Sequence, residues 1–532
     1  MRARPPCHNP PVVSPRPSPA PDPAGPGRSV WAKASRRPLL LLGALLLLQA
    51  PWLARPVHYD EANFLTLAGG AVADPWRPHD VRINWQGTEE RAFDVLSNPP
   101  GIAWWLAPVV GQPVALQRAW MLAWLPLALF GALRLGKRFL GDGERGVMLL
   151  LTAPIVFLST PALLPDAPLY ALVLAGVGGF VHAVDRERPA WPWALLAGCA
   201  ALFRYSALPL APLLALYALA RGRAPWLGLV ALAPPGLLAL HDLHAYGAVH
   251  LLAMGRFQSV ATTGEDVFHK LVASLAMLGG AAALPIFPWS RAAALGALVG
   301  GALGAPWGWL GAGFAALGGA VVGEIVGRAT AGTDPAHRAG TGADARWLAV
   351  WALGGLVFLL SLRFTATRYW LPFLPAVLLA LPTARWPRAL LAAQLGLAVL
   401  LAADDDRSAR AQEQLADAVA KLGTGVFTGH WGWQWAMEQR GWTALDEGAR
   451  PPEGTLVAMP RQAWPQPVEV NCSRVVWEGA ARPSLPWLPR GYSEKGLANL
   501  HASWIQGQPP VRTVVPWTFA NDPYERVRVC TD

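Results

Sequence analysis

The sequence predicts an all-α polytopic membrane domain followed by a smaller soluble α/β domain. Three observations predict it. Of 532 residues, 53% are hydrophobic and only 15% charged, against about a quarter charged in an ordinary globular chain. The apolar residues fall in blocks close to bilayer-crossing length, roughly 17–25 residues. From residue 404 onward polarity rises, and short β-prone runs alternate with a helical one.

Residues 1–37 are rich in Pro, Ser and Arg, cannot bury a core and are expected to be a disordered cytoplasmic tail. Arg36-Arg37 then flanks the first apolar run, 38–53, on the cytoplasmic side. No small-residue cleavage site follows, so this run reads as an uncleaved span. Further spans are expected near 114–133, 147–163, 168–184, 191–203, 207–220, 226–240, 271–288, 292–304, 307–326, 347–362, 369–384 and 389–402. Several are short for a hydrocarbon layer of roughly 30 Å, so the count is about 11 to 13 transmembrane helices. The membrane domain is therefore 38–403, with its first outside loop at 55–100, and the soluble domain is 404–532. Within the latter, Val426-Phe427-Thr428, residues 455–459 and residues 474–477 are expected strands, and residues 434–439 a helix.

Alternating sides from a cytoplasmic N-terminus puts 134–138, 185–188, 221–223 and 385–388 inside, all bearing Arg, as the positive-inside rule requires. It puts Asp60-Glu61, Pro165-Asp166, Arg204-Tyr205, 241–250, 363–368 and the soluble domain outside. The Gly- and Ala-rich stretch 292–326, with Pro306 in its middle, counts here as two spans; as one span it would invert everything after it. The net charge of +10 belongs to this loop bias, and nucleic acid is not an expected partner. None of Cys7, Cys199, Cys472 and Cys530 forms a CxxC. Cys472 and Cys530 can pair if the soluble domain lies outside the cytoplasm, but their spacing does not decide it.

The polar residues with candidate chemistry lie in the outside loops. Asp60 suits a general base, which takes the proton of an attacking hydroxyl or amine, with Glu61 holding the acceptor, a metal or a neighbouring cation. The bland alternative is a solvated pair at a helix N-terminus. Asn98-Pro99-Pro100 fixes extended backbone where the chain re-enters lipid. Asp166 is an acid at the mouth of a span, either paired or a helix cap. Arg204, Arg363 and Arg368 suit phosphate or interfacial anchoring. His241 and His244, with Asp242 and His250 nearby, are candidate ligands for a divalent metal, or interfacial histidines without one.

In order, these pieces resemble the C-type glycosyltransferases (GT-C fold), especially bacterial relatives of the protein O-mannosyltransferase and lipid A aminoarabinose transferase group. The resemblance rests on Tyr59-Asp60-Glu61 after the first span and Asn98-Pro99-Pro100-Gly101-Ile102 closing the first loop. It continues with Pro165-Asp166-Ala167-Pro168-Leu169, Arg204-Tyr205-Ser206-Ala207, and the run from Thr367-Arg368-Tyr369 to Pro375. It covers roughly residues 38–402; Gly101 departs from it, where relatives often carry a larger apolar residue. Glu89, Glu90 and Asp94 compete for the acid expected of a metal-binding branch.

The resemblance implies an integral-membrane transferase of the cell envelope. It would move a sugar, hexose or pentose, from a polyprenyl-phosphate donor to a glycan, lipid or protein acceptor on the outer face of the cytoplasmic membrane. Asp60 would be the base, with inversion at the anomeric carbon, and Glu61 would position the acceptor or a cation. Asp166, Arg204, Tyr205, Arg363, Arg368 and Tyr369 would bind substrate, and a divalent metal is a candidate cofactor. The alternative is a lipid or solute transporter or flippase. A transporter would show paired repeats with acids near the bilayer midplane, whereas these acids lie at one surface.

Overall fold

The computed structural model describes residues 37–85, 87–258, 264–284, 286–331, 342–381, 387–463, 466, 468–485, 487–505 and 510–531. The expected N-terminal tail and half of the 385–388 loop lie outside the described residues. Among the described residues, five helical stretches are long and apolar enough to cross a membrane: Val114–Phe139, Asp166–Asp185, Trp226–Tyr246, Arg291–Thr330 and Gly342–Leu360. Of the other expected spans, 389–402 lies within a longer helix, Pro387–Ala420, and the rest, where described, form shorter or broken helices. Residues 147–163, for example, split into Gly143–Leu151 and Pro154–Ser159, because Pro154 has no amide hydrogen to continue the first helix.

Asp166–Asp185 is the central helix, buried along almost its whole length. Its two ends carry different ion pairs. At one end Asp166 accepts from Arg204. At the other, Asp185 meets Arg138 and Arg221, which also reach Asp344. Twenty helical residues separate the two clusters by about 30 Å. Three of the basic loops expected inside, 134–138, 185–188 and 221–223, thus meet at one end, and the expected outside residues Asp166 and Arg204 at the other.

Arg291–Gly304 and Gly308–Thr330 are two helices of a hairpin turning at Ala305–Trp307, as the sequence reading counted them. A Cβ on Gly296 or Gly300 would strike the backbone of the facing helix at Gly319 or Ala315. Small residues permit that approach, the usual device for helix contact in lipid.

Helix Pro387–Ala420 runs unbroken for 34 residues through the expected domain boundary at 403/404. Its far end packs Leu415, Ala416 and Val419 under a mixed five-stranded sheet, against Phe427, Ala458, Val527 and Val529. The sheet order is Thr443–Ala444, Val426–Phe427, Leu456–Pro460, Glu525–Thr531, Arg474–Ala481. The first three strands are parallel, and the last two join antiparallel. Trp431–Glu438 is the expected helix. Cys472 and Cys530 form a disulfide, fastening the final strand to the segment before Arg474.

The tail is also bonded to the membrane portion. His269 Nε2 donates to the Thr513 carbonyl (2.9 Å), Trp517 Nε1 to the Gly280 carbonyl (2.8 Å) and the Thr367 amide to the Leu500 carbonyl (3.2 Å).

Candidate active site

Asp60 is the residue before helix Glu61–Ala73. Tyr59 ahead of it sits at φ 48°, a left-handed conformation that costs a residue with a side chain on the order of 1 kcal/mol or more. Surrounding rings hold it there. His58 and His501 lie on either side of Tyr59, with centroids at 3.8 and 3.9 Å, and Trp431 meets it edge-on at 5.2 Å.

The two adjacent acids part company. Glu61 is 1% exposed. It takes a two-pronged pair of 2.7 Å hydrogen bonds from Arg118, another from Arg55 (3.2 Å), and backbone bonds from His58 (2.9 Å) and Leu163 (3.1 Å). Burial alone would raise its pKa; the Arg118 and Arg55 guanidiniums outweigh that and hold it at about 2. Of the roles expected for Glu61, holding a neighbouring cation is the one this geometry fits. Asp60 keeps 19% of its side chain open and accepts from Arg368 Nη2 at 2.6 Å.

Asp60, Arg204, Arg363, Arg368 and Tyr369 line one cavity of about 170 Å³. Arg204 lies over the Tyr369 ring, 4.8 Å from its centre. Asp166, 1% exposed, stands behind Arg204 and does not line this cavity. Tyr205 lines a second cavity of about 310 Å³ that shares Ser97, Asn98, Arg204, Phe364 and Tyr369 with the first. The rest of this second wall is largely apolar, with Leu208, Leu251, Met254, Phe358 and Leu362.

Sequence reasoning treated Asn98 as a structural marker, yet it lines both cavities. Its carbonyl accepts from His79 Nε2 (3.0 Å), and His79 stacks on His250 at 4.9 Å. His250 Nε2 donates to the Leu96 carbonyl (2.9 Å), so its Nδ1 is the acceptor for the Tyr205 hydroxyl (2.9 Å). Sequence reasoning also missed the tail's share of the wall: His430, Trp431, Asn499, His501, Ala502 and Trp504. The aromatic run Trp431, Trp433, Trp435 was the one available signal for it.

His241 and His244 lie apart from both cavities. His241 Nε2 donates to the Trp76 carbonyl (2.9 Å) and its Nδ1 is 3.2 Å from Asp242. Among the described residues no three His, Cys, Asp or Glu side chains gather as a metal site. The residues present do not fit a divalent metal there.

No family model and no curated protein matches the chain. Among solved structures it is similar to the crystal structure of ArnT from Cupriavidus metallidurans bound to undecaprenyl phosphate. The identity is 16%, over 81% of this chain and 94% of that one, with a TM-score of 0.40. A likeness at that level says nothing of this chain's chemistry.

Proposed function

We propose that this protein is a membrane glycosyltransferase that moves a sugar from a polyprenyl-phosphate donor to an acceptor at the outer face of the cytoplasmic membrane. One observation carries the reading. A single cavity joins a carboxylate, Asp60, to three arginines, Arg204, Arg363 and Arg368, and adjoins an apolar groove. Arginines suit a phosphate, the groove suits a prenyl chain, and the carboxylate suits a proton acceptor.

In this mechanism the donor phosphate engages Arg368 and draws it away from Asp60. The freed carboxylate takes the proton of the acceptor hydroxyl. The acceptor oxygen bonds to the anomeric carbon from the face opposite the phosphate, and the bond from that carbon to the phosphate oxygen breaks. One displacement inverts the centre. The charge left on the lipid phosphate is neutralised by the arginines. Asp166 fixes Arg204 through their ion pair, and Glu61 fixes the backbone that carries Asp60. The Cys472–Cys530 disulfide supports an oxidising compartment for the tail, and with it an outside location for the cavity.

The test is transfer of labelled sugar from polyprenyl-phosphate donors by membranes holding wild-type protein or Asp60→Asn. Transfer with wild type and a loss of about 100-fold or more in the variant, at equal expression, is expected for a lost general base. Equal transfer by both would sink the assignment of Asp60. No transfer from any donor would move weight to transport.

A further inference from the structure

The cavity wall is sorted by charge. Its three arginines all come from the membrane portion, whereas the tail contributes no Lys, Arg, Asp or Glu to it. The tail's lining consists of indoles, imidazoles and an amide. Asn499 is spent on its own loop: its side chain donates to the Trp504 carbonyl (2.7 Å) and accepts from the His501 and Ala502 amides. That fixes Trp504, whose ring lies tilted against Phe364 with centroids 4.6 Å apart, and His501. His501 Nε2 stands 3.6 Å from Asp405, and the residue lines the cavity. Trp431 is held at φ 65° beside Tyr59.

Resting on the transferase reading, we propose that the tail forms the acceptor subsite and that the acceptor is an uncharged, hydroxyl-rich glycan. Trp431 and Trp504 are its stacking surfaces, and His501, oriented by Asp405, is its hydrogen-bonding residue.

An anionic acceptor held against the tail's side of the cavity would lose water there without gaining a cation from the tail. His430 does not supply one, since burial pushes its pKa down to about 4 and leaves it neutral. A purely apolar acceptor would leave the imidazole of His501 unsatisfied. A sugar ring has C–H faces for indoles and hydroxyl edges for an imidazole, and fits both halves of this lining. Asp405 is suited to orient His501 because it is itself anchored. Burial would raise it, but the ion pair with Arg55, together with His501 and His58, holds its pKa below the ordinary carboxylate value.

The experiment is titration calorimetry on the full-length protein in detergent. The probes are undecaprenyl monophosphate, the uncharged trisaccharides maltotriose, mannotriose and chitotriose, and their phosphorylated forms. At least one uncharged trisaccharide should bind. Trp431→Ala and His501→Ala should each weaken it about tenfold or more, with lipid-phosphate affinity within about twofold. His501→Gln, which keeps a hydrogen-bonding edge, should recover most of the loss. Arg368→Ala should do the reverse, weakening the lipid phosphate and sparing the trisaccharide. The proposal is overturned if no uncharged trisaccharide binds, if phosphorylated forms bind more tightly, or if the tail variants weaken only the lipid phosphate. Failure of undecaprenyl monophosphate to bind the wild type would strike the donor reading instead, and the trisaccharide titrations register that separately.

Discussion

Burial separates two carboxylates that are neighbours in the chain: Glu61 is closed in by Arg118 and Arg55, while Asp60 opens to the cavity. Glu61→Gln keeps the shape of the side chain but strands a fully buried Arg118. A loss of about 3–5 kcal/mol is expected, as for other broken buried pairs, read as a lower melting temperature in detergent. A second prediction at this scale concerns pH. Burial lowers His58 and His430 from 6.5 to about 4. The unfolded chain therefore binds these protons more tightly than the folded one. Their stabilising effect is complete above pH 6.5 and is lost as pH falls through about 4; Glu61, at about 2, extends the loss further down. Burial also raises Asp404 and Glu525 to about 7, which acts in the opposite sense over the same window, so the histidine effect is read by difference. From pH 7 to pH 4 the melting temperature of wild type should fall more than that of His430→Gln, and parallel profiles would contradict a buried neutral histidine. The acid pair itself was legible in the sequence. The sequence also assigned the base to Asp60; what it did not show is that Arg118, 57 residues downstream, closes Glu61 in.

Elements were legible where apolar blocks defined them, and failed where polarity misled. Asp404, Asp405 and Asp406 read as the end of a span, yet helix Pro387–Ala420 passes straight through them. Asp404 and Asp405 are buried because partners distant in sequence neutralise them: Arg490 lies 3.0 Å from Asp404, and Arg55 pairs with Asp405. No local pattern announces such a partner. Gly101 shows the converse. It departs from the resembling family because helix Gly101–Leu106 starts against the Leu202 carbonyl, which a Cβ would strike. Gly101→Leu is expected to destabilise by about 1–3 kcal/mol through overpacking. Thermal unfolding of the purified variant tests this, and an unchanged melting temperature would refute the close approach.

At the scale of the whole molecule, the tail completes the site. Thr365 and Thr367, just before Arg368, receive their backbone partners from tail residues Ser503 (3.3 Å) and Leu500 (3.2 Å). Truncation after Ala420 should therefore weaken undecaprenyl monophosphate binding by about tenfold or more, although every arginine of the cavity remains. Reducing the Cys472–Cys530 bond, which spans 58 residues, should lower tail stability by roughly 2–4 kcal/mol, seen as an earlier unfolding step in reductant. The continuous helix Pro387–Ala420 has one more consequence. Over about 50 Å it is rooted among the membrane helices at one end and is the floor of the sheet at the other. A rod offers no joint, so on the transferase reading the roof over the cavity would stay in place. A lipid donor would then have to enter sideways from the bilayer and a hydrophilic acceptor through the rim. Probe-to-probe distances between tail and membrane helices should then stay constant through a full catalytic cycle.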